Sequence, residues 1–291
     1  MYSPGAPPSA PSDLSGHATN SSARARQLVF PREHGAWGML FVPLVTGAWI
    51  GVGNGGTVSG ALWLAVAATA LFCLRTPVES LLGTSPVRAA NGDERHLAMR
   101  FIGLFGFVAA VALVRLTRHG ARPGLLLLGA IVVVLVVAQM LVKRMGRNGR
   151  MPSQIIGALA LTATAPAAYY ASMGWFDERA LGLWFANWAF AGNQIHFVQL
   201  RLRASKCRSW EEKFDRGRGF FVGQVVMMLA LALAWAFSVV PPLVLLAFLP
   251  IFLRGMIWFF KPPQPLVLRH LGLTELAHAI VFGILLVIGL H

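Results

Sequence analysis

Four small groups of polar residues stand out from an otherwise apolar chain. Glu33 and His34 lie in PREHGAWGML, and Arg75 and Glu79 in LRTPVES. Asn193, His196 and Gln199 lie in AGNQIHFVQLRLR, and Glu275 and His278 in LTELAH. Carboxylates, imidazoles and amides can hold a ligand's polar head, move a proton or bind a metal ion. Glu275 and His278 are spaced i, i+3, so on a helix they share a face. A Glu-x-x-His pair is also half of a helical di-iron site. Such a site needs a second pair and further carboxylates, so no metal ligands are assigned. His34, His196 and His278 could in principle clasp haem, but no two share a helix and no spacing signature recurs. No cofactor is named. Arg201, Arg203 and Lys206 follow the third group and suit a phosphate or an anionic lipid headgroup. The chain has neither a Gly-x-Ser-x-Gly element nor a Gly-x-x-x-x-Gly-Lys loop, so nucleophilic and P-loop chemistry have no support.

The elements that must position these residues follow from composition. Of 291 residues, 56% are hydrophobic and 12% charged, where a soluble domain carries about 25% charged. That excludes a soluble enzyme. Apolar runs near 20 residues recur, each long enough to cross a bilayer as a helix. The expected spans are 35–53, 57–74, 98–117, 123–142, 153–173, 180–200, 220–239, 241–260 and 272–290. Backbone amides in hydrocarbon need internal partners, so the spans are helices. The expected fold is an all-α polytopic transmembrane bundle of about nine spans over residues 30–291. Residues 1–29, rich in Pro, Ser, Gly and Ala, read as a disordered cytoplasmic tail. Pro43, Pro166 and Pro250 fall inside spans and should kink them. Pro31 with Pro43 and Pro152 with Pro166 give spans 1 and 5 a faint common pattern. Gly35, Gly38 and Gly47 suit close helix packing. Cys73 and Cys207 lie far apart, which argues against a disulfide framework.

Charge then sets orientation. The net charge of +14 would suggest nucleic acid in a soluble chain. Here 20 of the 25 basic residues sort to one side of the nine spans, four to the other, and Arg254 alone lies within a span. The positive-inside rule places the N-terminus in the cytoplasm and the C-terminus outside. The expected partners are thus membrane lipids and no nucleic acid. All four polar groups then fall in the cytoplasmic third of the bilayer. At 100° per residue, Asn193, His196, Gln199 and Arg203 span an arc of about 120° on one helix.

At PREHGAWGMLFVPLVTG (31–47) the chain resembles the YwiC-like family of bacterial membrane proteins, which open with a Pro-x-x-His-Gly-Ala-Trp element. The resemblance continues through LRTP (74–77) and LGLTELAH (271–278). It implies a polytopic protein of a bacterial cytoplasmic membrane and brings little chemistry. A more distant resemblance is to UbiA-type intramembrane prenyltransferases, which implies nine helices with working loops 2–3 and 6–7 in the cytoplasm. Arg75 looks like the arginine ahead of that family's first aspartate-rich motif, and Asn193 to His196 lie near the second. The magnesium-binding aspartates are not matched: Leu82 and Gly83 stand where Asn-Asp is expected, and Asp93 and Glu94 are differently spaced. A Mg²⁺-dependent prenyl transfer is therefore not implied.

These readings lead to a cytoplasm-facing intramembrane pocket for a lipid, isoprenoid or quinone-like molecule. Glu33, His34, Arg75, Glu79, Asn193, His196, Gln199, Glu275 and His278 would line it. The alternatives are a small-solute transporter and a haem- or metal-binding redox subunit. Transport wants polar groups on both sides of the midplane, where this chain has few.

Overall fold

In a computed structural model the described residues are 24–31, 34–83, 85, 87–118, 123–146, 149–205, 207, 209–262 and 266–291. The residue 1–23 part of the expected tail lies outside them. The described chain is helical, with no strand among the described residues. The helices are α1 (His34–Gly53), α2 (Val58–Leu81), α3 (Gly92–Arg118), α4 (Pro123–Lys143), α5 (Arg150–Thr162), α6 (Thr164–Met173), α7 (Glu178–Ala204), α8 (Trp210–Ala236), α9 (Pro242–Phe260) and α10 (Leu268–Leu290).

Among the described residues eight stretches are long and apolar enough to cross a membrane, with α5 and α6 counted as one (Arg150–Met173). The protein is a multi-pass membrane bundle. The expected span not among these eight, 180–200, is α7. It is long enough at 27 residues but more polar than the rest. Its position explains that. It packs against α1, α5, α6, α8, α9 and α10, so its polar side chains face protein instead of lipid. By contrast α4, the most apolar, leaves Leu126, Leu127, Val133 and Val134 exposed, as a lipid-facing helix should.

Several helices outrun the expected spans. α7 continues to Ala204 and α8 starts at Trp210. Charged side chains can leave the bilayer as helix and be solvated there. Local chemistry supports these ends. The Asp177 carboxylate accepts from the Ala180 N–H at 3.2 Å, with Glu178 in the first turn of α7 and Arg201 and Arg203 in its last. Ser209 Oγ accepts from Glu212 N–H at 3.2 Å at the start of α8. Gly174, with φ +89°, closes α6 through its N–H to the Tyr170 carbonyl.

The chain divides into two compact units. One comprises residues up to 32 and 69–109. In it residues 24–29, which composition places in the tail, are helical with Leu28 and Val29 buried. Arg24 pairs with Glu94, whose other oxygen accepts from the Ala90 N–H at 2.8 Å, and Phe30 meets Phe101 and Phe105 edge-on.

The larger unit holds residues 33–68 and 110–291. Its main core gathers Ile50, Tyr169, Leu183, Phe190, Phe248 and Phe282, with Phe190 and Phe282 stacked at 4.1 Å. Here α1 lies tightly on α6. Gly47 and Gly51 are four apart on one face. A Cβ on Gly47 would overlap the Ala165 carbonyl, and one on Gly51 would stand 2.9 Å from Ser172 Cβ. Of the three glycines read as packing residues, only Gly47 has this role: nothing lies within 4 Å of a Cβ at Gly35, and one at Gly38 makes ordinary contact with Leu276. Thermal unfolding in detergent should therefore separate the two ends of α1. Gly47→Ala should cost about 1–3 kcal/mol through overpacking, while Gly38→Ala should leave stability within about 0.5 kcal/mol of wild type.

Candidate functional site

A buried polar contact joins three helices of the larger unit. Arg254 on α9 donates through Nη1 to Glu275 Oε2 on α10, and through Nη2 to Asn193 Oδ1 on α7 at 2.9 Å. Gln194, beside Asn193, donates to the Glu275 backbone carbonyl at 2.9 Å. The guanidinium lies over the Phe197 ring, with Cζ 4.1 Å from its centroid. The Arg254 and Glu275 side chains are 8% and 7% exposed. Such a pair in hydrocarbon needs every hydrogen bond it can form. Yet Arg254 Nε and Glu275 Oε1 are both buried with no hydrogen-bond partner among the described residues. The pair balances its charge but keeps one free donor and one free acceptor.

Asn193 and Glu275 are thus brought together, as their common depth suggested. Arg254 was passed over as a stray basic residue. Its signal was its position: a lone cation inside a span, on the helix that precedes the one bearing Glu275. Gln194 was likewise read only as part of a polar segment.

The remaining candidates go elsewhere. His196 sits on the α7–α8 contact, 5.3 Å edge-on from Phe220, and Gly223 leaves room for its ring: a Cβ there would stand 2.8 Å from Nδ1. Gln199 donates to Gln154 Oε1 on α5 at 3.3 Å. The polar arc of α7 therefore fans out over several neighbours instead of lining one pocket, because α7 is enclosed. His278 Nδ1 lies 2.6 Å from the Thr274 carbonyl of its own helix, so Glu275 and His278 do not act as one ligand pair. Arg201 is half-buried. Arg203 is exposed, and its carbonyl accepts from Arg216 at 2.6 Å. Arg75 and Glu79 belong to the smaller unit, where Arg75 Nε donates to Glu79 Oε1 at 2.8 Å along α2. Glu33 and Lys206 lie outside the described residues, as does the side chain of His34. Among the described residues no group of three or more His, Cys, Asp or Glu side chains is placed to hold a metal ion.

Lys213, counted in the sequence only as part of a basic loop, proves to be buried. Its Nζ donates to the carbonyls of Trp258, Phe259 and Lys261 and lies 4.4 Å from the Trp258 ring centroid. It closes the C-terminal end of α9, where carbonyls lack helical partners. That is a structural task, and it holds the helix that carries Arg254.

The ion pair makes a stability prediction. Removing one partner of a buried pair strands the other charge, at a cost of about 3–5 kcal/mol, whereas replacing both is often close to neutral. Arg254→Met and Glu275→Leu should each lower the unfolding temperature sharply in detergent. The double variant should recover most of the loss. Single variants as stable as wild type would contradict the buried pair.

Comparison with known proteins adds a family. A family model described as YwiC-like protein matches residues 30–169, from Phe30 to Tyr169 in α6. The match includes the HGAW element and Pro43, and it ends before Asn193, Arg254 and Glu275. No curated protein and no solved structure matches the chain. Over residues 30–169, then, the chain is similar to the YwiC-like family.

Proposed function

We propose that this membrane protein binds a lipid-soluble molecule through its polar head, at a cytoplasm-facing site centred on Arg254 and Glu275. The observation that carries the proposal is the pair of unpartnered atoms, Arg254 Nε–H and Glu275 Oε1. One needs an acceptor and the other a donor. A single hydroxyl supplies both, which selects a quinol or an isoprenoid alcohol among quinone-like and isoprenoid ligands. A diphosphate fits less well, because Glu275 would repel it. That preference agrees with the unmatched aspartate motifs. An incoming ring or alkene takes the place of Phe197 on the guanidinium face. Arg201, half-buried one helical stretch beyond Gln194, stands towards the cytoplasmic mouth in this reading.

The orientation rests on the basic side of the bundle. Single cysteines at His119 and Asn148, in a background without Cys73 and Cys207, test it with an impermeant maleimide on intact cells. The outward position, 119, should label and 148 should not. The reverse pattern would invert the proposed topology.

Binding is tested by extracting the purified protein and analysing the lipophilic molecules that accompany it by mass spectrometry. Wild type should carry a hydroxyl-bearing lipophile. Glu275→Asp and Arg254→Lys keep both charges, so neither strands a buried ion, but they displace the acceptor and remove the Nε donor. Each should lower its occupancy about tenfold or more, the effect of losing a charged hydrogen bond, without unfolding the protein. A wild type free of such molecules, or variants that retain them fully, would reject the proposal.

A further inference from the structure

Two proline-bearing stretches of helix meet beside α7 around a small, partly enclosed void of about 10 Å³. Pro43 in α1 has no N–H to give the Met39 carbonyl, and Pro166 in α6 has none to give the Thr162 carbonyl. Met39 and Thr162 both line the void. So do Asn187 and Gln194, seven apart on one face of α7 and near the middle of its length. Their amide nitrogens have other partners. Asn187 Nδ2 donates to Thr46 Oγ1 at 3.3 Å and to the Leu183 carbonyl at 2.9 Å. Gln194 Nε2 donates to the Glu275 carbonyl at 2.9 Å. What these four residues have left to offer is oxygen.

A void of this size takes one water-sized occupant. A water molecule has two hydrogens to donate, so it would leave two of four oxygens unpaired in a dry site, at a real cost. A cation can use all four. Carbonyl and amide oxygens are hard ligands, suited to small hard cations. No ionised side chain lines the void, so nothing there would balance a divalent charge. Interrupted membrane helices near mid-bilayer are also where freed carbonyls coordinate ions in transport proteins.

We propose that this void is a site for a single sodium ion, held by the carbonyls of Met39 and Thr162 and the amide oxygens of Asn187 and Gln194. The site is separate from the Arg254–Glu275 pair and goes beyond the head-group reading. Gln194 touches both, so an ion that orders its amide also steadies the turn of α10 that carries Glu275.

The test uses the full chain in detergent, with sodium chloride compared against N-methylglucamine chloride at equal ionic strength. Wild type should gain several degrees in Tm, ~5 °C at ~200 mM sodium, and bind one radioactive sodium ion per chain. Pro43→Ala and Pro166→Ala return an N–H to Met39 and Thr162 and improve helix propensity, so both should fold. Each should weaken sodium binding about tenfold or more, and Gln194→Met should abolish it. The lipophile that accompanies the protein should persist in both proline variants, which keeps this test distinct from that of the Arg254 site. Absence of any sodium-specific shift in wild type, as a water occupant would give, overturns the proposal. Sodium binding undiminished in both proline variants overturns it too.

Discussion

Hydrocarbon offers no hydrogen bonds, and this bundle is arranged around that fact. Every polar group at bilayer depth must find its partner in protein. The chain meets the requirement by enclosing its most polar helix. α7 carries Asn187, Asn193, Gln194, His196 and Gln199, and α1, α5, α6, α8, α9 and α10 pack around it. A helix outside that ring can then present an almost wholly apolar outer face, as α4 does. The hydropathy that makes eight stretches recognisable as spans and the polarity that hides the ninth have one cause.

The same constraint gives the enclosed contacts their meaning. A charge on α9 is tolerable because α10 supplies its opposite and α7 an amide oxygen. A lysine at the rim, Lys213, is tolerable because three carbonyls at the end of α9 accept from it. Against this economy two unpaired atoms on one ion pair are conspicuous, since an unsatisfied buried group costs about 1–3 kcal/mol. A bound hydroxyl removes that cost at both atoms. Proline has a comparable effect in α1 and at the join of α5 and α6, where it leaves the Met39 and Thr162 carbonyls without a helical donor next to a void beside α7.

The helical class, most of the spans and the likeness to the YwiC-like family could be read from the chain, because apolar runs and the HGAW element are local signals. Common depth also placed Asn193 and Glu275 correctly with one another. Helix azimuth was harder. The arc from Asn193 to Gln199 was visible, but an arc becomes a pocket only if one neighbour covers it, and here Asn193 turns to α9, His196 to α8 and Gln199 to α5. Arg254 was missed because counting charges by loop treats an intramembrane cation as an exception when it is the stronger signal. Lys213 was missed because a basic residue beyond a span is ordinarily solvated, and only the fold shows the carbonyls that bury it. The faint Pro43 and Pro166 pattern had no chemical meaning until α1 and α6 were placed side by side.

The central claim is that the Arg254–Glu275 pair is completed by something other than protein. A density map of the protein in lipid nanodiscs, at a resolution that shows side chains, tests it directly. The account predicts an elongated non-protein density ending within hydrogen-bond distance of Arg254 Nε and Glu275 Oε1. A map in which protein side chains alone close over both atoms would contradict it.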